Sequence, residues 1–600
     1  MRFLLNGVWR GRPDPELEGI KEKWFADGSG AWAEKSCMDT RVPVCWNSIQ
    51  GFDNYEGCFW YARDFDLPDD REPFQTEFFI RFLAVNYMSK AWLNGHELGS
   101  HEGGYLPFEF PLPEDVLKSE GNRLVVMVEN VRSPKRIPGE LCDWFNYGGI
   151  LRDVELHARS RRRFDSVRVS PVLDAGAAGI KVDYRQTEKF GFKWIVRRGE
   201  DVVTEGAEDE PGGVLEIDIP DAVLWHPDHP ELYTIEMIPG DGTCADGACE
   251  RFGLRDIKVE GTKILLNGQP VKLQGVSLHE EQVPDGRCLT REQRFEDVRA
   301  IKKLGFNALR TAHYSHDEAL MDAADEIGLL ILEEIPVYWD LDYGAPELFE
   351  TASSMLTDLV RRDYNHPSVI LWSVGNEVPV EDPACDIFIR KLMKLVREMD
   401  STRIVTYVSC RFMIDKTRKQ SDVCCVNCYI GWYFGKREMM SDALEMARTT
   451  APDKPWMMTE FGAGAKFGFR GGKNTKFTED FQADFLSDYI KILNGKDWVA
   501  GWFIWIYRDF RSPIRMNRYQ KGFNRKGIVS ESNEQKQICG RFPALLKEKS
   551  KTSPPRNVEI KAKIAEVFER SMYMIIQPNL AKQQRGQYNR FYKRKPGTSR

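Results

Sequence analysis

The chain has 600 residues, of which 42% are apolar and 29% charged, and a formal net charge of -7. Because this length exceeds what one hydrophobic core supports, we expect about three or four domains. The acidic balance argues against nucleic acid as a partner, since a phosphate-binding surface requires an excess of Lys and Arg. The apolar run at residues 327–332 is far shorter than the roughly 20 residues of a membrane span, so we predict no membrane partner.

The thirteen cysteines have no regular spacing, which is typical of free thiols in a reducing compartment rather than of a disulfide framework. The apolar patch within residues 1–10 is too short for the core of a signal peptide. We therefore predict a cytoplasmic protein. Cys424, Cys425 and Cys428 lie in an apolar segment without a nearby His, so we predict buried thiols there and no metal site.

The first part of the chain has the pattern of short strands separated by turns. Alternating apolar residues recur at 59–65, 76–82, 90–93 and 123–129, and the third run is followed by the turn pair Asn94-Gly95. This pattern predicts a jelly-roll β-sandwich over residues 1–160. Residues 161–259 repeat the pattern over a length that suits one immunoglobulin-like β-sandwich.

After residue 260 the hydrophobic period changes to one of alternating helices and strands. Residues 292–304 and 317–327 have helical periodicity, whereas 307–310 and 329–332 are strand-like, and the alternation continues to about residue 546. We predict a (β/α)8 barrel over residues 260–548. The basic C-terminal extension, residues 549–600, has interleaved aromatics that could bind an anion, but its composition favours a poorly ordered or oligomer-docking segment.

Two glutamates end apolar runs of the predicted barrel. Glu377 follows the run at 369–374, and Glu460 follows the run at 455–459. The carboxyl ends of barrel strands are where such folds place their active sites. A carboxylate in a buried strand is costly unless it is paired or solvated, so each glutamate is either a structural ion pair or part of a catalytic pair.

Two sandwiches followed by a barrel with paired glutamates resemble glycoside hydrolase family 2. The resemblance rests on eight segments. Two contain the glutamates, SVGNE (373–377) and MTEFGA (458–463). The others are YEGCFWY (55–61), WLNG (92–95), HEGGYLPF (101–108), DWFNYGG (143–149), RTAHY (310–314) and DYNHPSV (363–369). Many of these residues also have scaffold roles, such as the hairpin turn at Asn94-Gly95. Their order along the chain makes the resemblance specific.

The resemblance implies that Glu377 is the general acid/base and Glu460 the nucleophile of a retaining glycosidase. A retaining mechanism requires the two carboxyl groups to lie roughly 5 to 5.5 Å apart. It also requires an ionised nucleophile, so we expect the pKa of Glu460 to be low, with the Tyr429 hydroxyl donating to it. Asn376, beside the acid, would bind the 2-hydroxyl of the sugar.

The resemblance also implies further substrate-binding residues. Asp143 would reach from a sandwich loop into the barrel mouth and bind a sugar hydroxyl. The other candidates lie on the barrel, although core packing is the alternative for the aromatic ones: His279, His313, Asn427, Tyr429, Tyr433 and Trp505.

Within the family, the chain resembles the β-glucuronidase branch because of the triplet Asn524-Arg-Lys526. That branch uses an Asn-x-Lys triplet to bind the sugar carboxylate, and an ammonium with an amide donor gives a uronate a charge-assisted hydrogen bond. A second triplet, Asn474-Thr-Lys476, lies elsewhere along the chain relative to the branch pattern. The Arg that often precedes the pair is replaced here by Gln520 and Lys521, which leaves a second carboxylate contact open.

The sequence therefore predicts a retaining exo-β-glucuronidase acting on small-molecule or oligosaccharide β-glucuronides. The alternatives are another family 2 exo-glycosidase, such as a β-galactosidase or β-galacturonidase, and a non-catalytic carbohydrate-binding relative. The chemistry requires no cofactor, and a bound flavin nucleotide, which some members of the branch carry, is left open. The resemblance further implies a homodimer or homotetramer.

Overall fold

The structure is a computed structural model of the chain. It describes residues 1–33, 35–68, 76–174, 177–209, 212–240, 242 and 244–548, and in the C-terminal tail residues 561–562, 565–566, 569, 582–588 and 591–592. Within these residues no helix is both long and apolar enough to cross a membrane.

The N-terminal region is a sandwich of two antiparallel sheets. Its central strand, Asn122–Glu129, is buried on both faces: Leu124, Val126 and Val128 pack between the sheets, and Val125 packs against a tryptophan cluster on the outer face. One sheet contains the strands Arg2–Leu4, Val154–Ser160, Thr76–Phe82 and Phe108–Pro111, and the other contains Met38–Val42, Gly7–Pro13, Cys58–Phe65, Asn122–Glu129, Met88–Leu93 and His96–Glu102. A short pair joins Val85–Asn86 to Gly149–Ile150, and one helical turn spans Glu18–Lys21.

The second region is a smaller sandwich with alternating burial along its strands. Val167, Val169, Ile180 and Val182 form its core with the apolar face of the facing sheet. One sheet contains Phe164–Asp174, Ala177–Gln186 and Val214–Asp218, and the other contains Asp201–Glu208, Phe192–Arg198, Tyr233–Pro239 and Ala248–Phe252. A three-stranded sheet, Ile257–Glu260, Lys263–Leu266 and Gln269–Val271, leads into the third region.

The third region is a closed barrel of parallel strands. The strands are β1 (Leu273–Leu278), β2 (Ala308–Thr311), β3 (Leu330–Glu334), β4 (Val369–Asn376), β5 (Ile404–Ser409), β6 (Cys424–Asn427), β7 (Trp456–Phe461) and β8 (Val499–Ile504). The α-helices are Arg291–Lys303, Glu318–Ile327, Pro346–Asp363, Pro383–Met399, Met439–Arg448, Glu479–Asn494 and Phe542–Leu545, and 3-10 turns span Thr417–Gln420 and Gln537–Arg541. After β8 a short hairpin pairs Phe510–Arg511 with Phe523–Asn524.

Successive residues of a barrel strand face two different cores. In β3, Leu330 and Leu332 point into the barrel, whereas Ile331 packs against the surrounding helices. The helices have the expected end signals, such as the capping box of Thr290 and Gln293 at the start of Arg291–Lys303. The predicted combination of jelly-roll sandwich, immunoglobulin-like sandwich and (β/α)8 barrel is confirmed, while the limits assigned to each domain stay predictions.

Two tyrosines of the C-terminal tail pack on the first sandwich. Tyr588 and Tyr592 are buried with Phe145 and Tyr147 of the first sandwich. The sequence favoured a poorly ordered or oligomer-docking tail, and Tyr588 and Tyr592 differ from that expectation because their rings bury apolar area against the same chain.

Candidate active site

Glu377 directly follows β4 at the carboxyl end of the barrel. Its carboxylate accepts hydrogen bonds from Trp339 Nε1 and Asn427 Nδ2, both at 2.9 Å. Its backbone has a φ of 54°, in the left-handed region that a glutamate rarely occupies. The Glu377 N–H donates to the Val408 carbonyl at 2.8 Å, so the end of β5 holds this strained residue in place.

Glu460 lies in β7 at the same end of the barrel and is 4% exposed. Its Oε1 accepts from Arg310 Nη1 at 2.8 Å, and its Oε2 accepts from the Tyr429 hydroxyl at 2.7 Å. His313 Nε2 lies 3.6 Å from Oε1. Each oxygen of Glu460 therefore accepts a hydrogen bond from a different segment, Oε1 from Arg310 in β2 and Oε2 from Tyr429 after β6.

Arg310 is the centre of this network and is fully buried in β2. Its Nη2 donates to Glu334 Oε1 at 2.8 Å and to Asn376 Oδ1 at 2.8 Å, in addition to the Nη1 bond to Glu460. Glu334 Oε1 also lies 2.8 Å from His313 Nδ1. Arg310 and Glu334 were absent from the predicted site residues, although a charged residue inside a buried strand is a signal that could have found both.

The pKa of Glu460 is raised above its ordinary value. Burial is the main cause, and the nearby Glu377 carboxylate adds to it, whereas Arg310, His313 and the Tyr429 hydrogen bond lower the pKa. The low pKa expected for Glu460 is therefore wrong for this site without substrate, because the cost of burying the charge exceeds the help from its donors.

Asn427 and Asn376 connect the two glutamates. Asn427, at the end of β6, donates from Nδ2 to Glu377 and lies 3.1 Å from Asn376 Oδ1, while its Oδ1 accepts from Thr459 at 2.9 Å. The Oδ1 of Asn376 is occupied by Arg310. The buried Nδ2 of Asn376 has no hydrogen-bond partner among the described residues, so it is available to donate to a ligand.

An aromatic wall lines another side of the site. Trp505 stacks on His313 with ring centroids 4.7 Å apart and meets His279 edge-on at 5.3 Å. His279 Nδ1 lies 3.1 Å from the Tyr314 hydroxyl, and its buried Nε2 has no partner among the described residues. Burial, with His313 and the guanidinium groups of Arg287 and Arg310 nearby, holds the pKa of His279 well below its ordinary value, so this ring is neutral at pH 7.

Lys526 places a cation beside Tyr429, the donor to Glu460. Its Nζ donates to the Tyr433 hydroxyl at 2.8 Å and lies 5.1 Å from the ring of Tyr429 and 5.0 Å from that of Tyr433. Lys526 is 2% exposed. Within the described part of the chain, its Nζ has no carboxylate at salt-bridge distance.

Asp143 extends from the first sandwich to the segment after β8, where its carboxylate is already occupied. It accepts from Ser512 at 2.6 Å, from Arg515 through both oxygens, and from Asn524 Nδ2 at 2.9 Å. Burial raises the pKa of Asp143, but the positive charges of Arg515 and Lys526 lower it by more. The pKa of Asp143 is therefore below its ordinary value. Asn524 therefore directs one of its two amide N–H bonds at Asp143.

The predicted residues thus form one connected network, in which the described side chains contact each other directly or through a shared neighbour. Sequence reasoning missed Arg515 and Trp339, which lie on loops without a recognisable motif. The competing triplet lies outside the network: Asn474 is exposed, and Lys476 Nζ donates to the Trp432 carbonyl. Trp432 itself is a core residue that packs on Phe477.

No group of His, Cys, Asp and Glu in the described residues has the arrangement of a metal site. The cysteines Cys424, Cys425 and Cys428 are buried around β6, and burial raises the pKa of each thiol. The arrangement at the barrel mouth instead pairs two carboxylates beside hydrogen-bond donors and an aromatic wall, which suits hydrolysis of a glycosidic bond.

Comparison with known proteins gives the same result at the level of the family. The sugar binding domain of glycosyl hydrolases family 2 matches residues 3–160, and the TIM barrel domain of that family matches residues 257–539. A β-glucuronidase of Paenibacillus borealis is 28% identical over 580 residues, which cover 89% of this chain and 94% of that protein. The β-glucuronidase of Rattus norvegicus is 28% identical over 576 residues, with 86% and 87% covered.

Solved structures are similar over nearly the whole chain. A β-glucuronidase from an uncultured Clostridium sp. has a TM-score of 0.84 at 27% identity, covering 91% of this chain and 98% of that one. The β-glucuronidase from Ruminococcus gnavus in complex with D-glucuronic acid has a TM-score of 0.84 at 26% identity, covering 90% and 97%. With sandwich, barrel and paired glutamates in the family's order, the chain belongs to glycosyl hydrolases family 2.

Proposed function

We propose that this protein is a retaining exo-β-glucuronidase that hydrolyses β-D-glucuronides to D-glucuronate and an aglycone. The observation that carries the proposal is Lys526, a buried ammonium that contacts two tyrosines and no described carboxylate. A buried cation is costly unless an anion accompanies it, so the site favours a substrate that brings its own carboxylate. The names of the relatives support the same substrate class.

In the first step Glu460 attacks the anomeric carbon while Glu377 protonates the departing glycosidic oxygen. The bond from C1 to the aglycone breaks, and a bond from C1 to a Glu460 oxygen forms. In the second step Glu377 takes a proton from water, whose oxygen attacks C1 and releases Glu460. Arg310 and Tyr429 hold the two oxygens of Glu460 at defined positions, which supports the assignment of nucleophile.

The remaining residues bind and orient the sugar. The unpartnered Nδ2 of Asn376 donates to the 2-hydroxyl, and the unpartnered Nε2 of His279 faces another hydroxyl. Arg515 and Asn524 donate to Asp143 and hold its carboxylate near Lys526. These charged groups therefore have fixed positions before the substrate binds. Trp505 and His313 give the sugar ring an aromatic wall.

The test is hydrolysis of aryl β-D-glucuronide, β-D-galacturonide and β-D-galactoside. We expect the glucuronide to be turned over fastest and the galactoside hardly at all, because a neutral hexose leaves the Lys526 ammonium without a partner. Galactoside turnover without glucuronide turnover would overturn the proposal. Preference for the galacturonide would keep the role of Lys526 and change the sugar.

A variant pair isolates the carboxylate contact. Lys526→Ala removes the charge-assisted hydrogen bond to the uronate, and we expect kcat/KM for the glucuronide to fall about 10- to 100-fold. Lys476→Ala, in the competing triplet, is the matched control, and we expect it to retain wild-type activity because the Lys476 ammonium donates to the Trp432 carbonyl and to none of the proposed site residues. Equal rates for wild type and Lys526→Ala would exclude the proposed role.

Two further proposals concern the protein's setting. All thirteen cysteines belong to the described residues and are free thiols, which supports a reducing compartment such as the cytoplasm. We also propose a homodimer or homotetramer, and light scattering of the purified protein tests it. The proposed hydrolysis uses only carboxylates and water and requires no cofactor.

A further inference from the structure

The C-terminal tail has two deeply buried tyrosines that the hydrolytic mechanism does not use. Tyr588 is 3% exposed and Tyr592 is 8% exposed, although they lie far beyond the barrel in sequence. Both pack on residues of the first sandwich, in the segment 139–147 that carries Asp143 and Trp144. This segment contains bends but no helix or strand, so its position depends on side-chain contacts.

Tyr592 contacts the backbone just after Asp143. The buried N–H of Asn146 donates to the Tyr592 hydroxyl at 2.7 Å. The ring of Phe145 lies 5.4 Å from that of Tyr592 and 5.9 Å from that of Phe591. Because a buried N–H requires a partner, the tail supplies the acceptor that this conformation of the segment needs.

Tyr588 fixes the same segment through two shared neighbours. Its hydroxyl donates to Glu56 Oε1 at 2.7 Å, and the same oxygen accepts from Asn146 Nδ2 at 2.9 Å. The guanidinium of Arg132 lies 5.9 Å from the Tyr588 ring and 5.8 Å from the ring of Trp144. Arg132 is buried and lies near both rings, so it connects Tyr588 to Trp144.

The tail also contacts the segment beside Glu377, the proposed general acid/base. Arg585 lies 3.2 Å from Glu140 and 3.6 Å from Asp340, which follows Trp339, the donor to Glu377. Arg585 is 45% exposed, so this contact is weaker than those of the tyrosines.

We propose that Tyr588 and Tyr592 are positioning residues, which hold the segment 139–147 so that Asp143 meets Arg515 and Asn524, next to the uronate-binding Lys526. The inference rests on the proposed function for its effect on catalysis. It assigns the described part of the C-terminal tail an indirect role in substrate binding, through the position of Asp143.

The first test is kinetic and uses the full chain with an aryl β-D-glucuronide. For the double variant Tyr588→Phe/Tyr592→Phe we expect KM to rise about fivefold to tenfold with kcat within about twofold of wild type, since the hydrogen bonds are lost and the rings remain. A purely structural role would reduce the amount of active enzyme, lowering the apparent kcat without changing KM. That outcome, or an unchanged KM, would overturn the proposal.

The matched control is Tyr184→Phe in the second sandwich. Tyr184 is buried and its hydroxyl has no hydrogen-bond partner among the described residues, so its loss should leave KM and kcat unchanged. Arg585→Ala should raise KM by less than about twofold because its ion pairs are solvent-exposed.

The second test does not depend on activity. Hydrogen exchange of backbone amides in residues 139–147 should be faster in the double variant than in wild type, while exchange in residues 192–198 of the second sandwich stays the same. Unchanged exchange in 139–147 would refute the positioning role whatever the kinetics. Faster exchange in a protein whose wild type hydrolyses no glucuronide would refute the proposed function and leave the role of the tail intact.

Discussion

The Tyr429 hydroxyl donates to Glu460 at 2.7 Å and lowers the pKa of that carboxyl, which burial raises. Attack on the sugar requires ionised Glu460, so kcat/KM is high above this pKa and falls as the pH drops through it. Tyr429→Phe removes the donor, so the pKa of Glu460 rises further and the acid limb of the profile moves to higher pH. We also expect kcat to fall about tenfold, measured with an aryl β-D-glucuronide.

Tyr433→Phe is the comparison variant for this profile. Tyr433 contacts Lys526 and donates nothing to Glu460, so its loss should weaken substrate binding and leave the acid limb where wild type has it. If both variants moved the limb equally, the limb would not report the hydrogen bond to Glu460.

Among single residues, those within recognisable motifs could be predicted from the sequence, whereas those brought to the site by tertiary contacts could not. Glu377, Glu460 and Lys526 each belong to a short pattern at the end of a strand. Arg515 has no such pattern, and its partner Asp143 lies 372 positions away in another domain. The direction of the Glu460 pKa was also missed, because it depends on how deeply the folded barrel buries the carboxyl.

Among the elements, the helix Glu318–Ile327 ends at position 328, where the backbone conformation and the space available both require glycine. Gly328 has a φ of 83°, and a Cβ there would lie 2.1 Å from the Pro227 carbonyl of the second sandwich. We expect Gly328→Ala to cost about 2 to 4 kcal/mol, from the left-handed conformation and the clash together. The midpoint of thermal unfolding measures the loss.

Gly28→Ala separates these two contributions. Gly28 has a φ of 72°, but a Cβ there would meet no heavy atom within 4 Å. Its substitution should cost only about 1 kcal/mol, the price of the left-handed conformation alone. Equal destabilisation by both variants would mean that the contact with Pro227 relaxes without cost.

The elements of the barrel were predictable where their pattern is local. Strands buried on both faces produce continuous apolar runs, and helices such as Arg291–Lys303 have capping residues in sequence. The alternation of strands and helices predicts a helix between β5 and β6. The chain forms only the 3-10 turn Thr417–Gln420 there. There Asp415 accepts from the Arg418 N–H and from the Tyr407 hydroxyl, and these bonds favour a turn over a helix.

At the scale of the whole molecule, the second sandwich and the barrel meet around the buried Asp325. Its backbone carbonyl accepts from Trp225 Nε1 of the second sandwich at 3.0 Å, and its carboxylate accepts from the Ser368 N–H at 3.0 Å. His366 Nδ1 lies 2.6 Å from the other carboxylate oxygen. Burial alone would lower the pKa of His366, but the Asp325 carboxylate raises it to about 9.

This shift makes the stability of the protein depend on pH. An unfolded His has a pKa of about 6.5, so the stabilisation from protonated His366 is fully present below about pH 6.5 and is lost as the pH rises through about 9. The difference between the two pKa values corresponds to about 3 kcal/mol of unfolding free energy. We expect His366→Gln to lower the midpoint of thermal unfolding strongly at pH 6 and much less at pH 9.5, where wild type has lost the charge as well.

His229→Gln is the control, because His229 is exposed on the second sandwich and its substitution should shift the midpoint little at either pH. Comparing each variant with wild type at the same pH cancels the titration of all other groups. If His366→Gln were equally destabilising at both values, the loss would come from the packing around His366, and its ion pair with Asp325 would contribute nothing to the stability of the barrel.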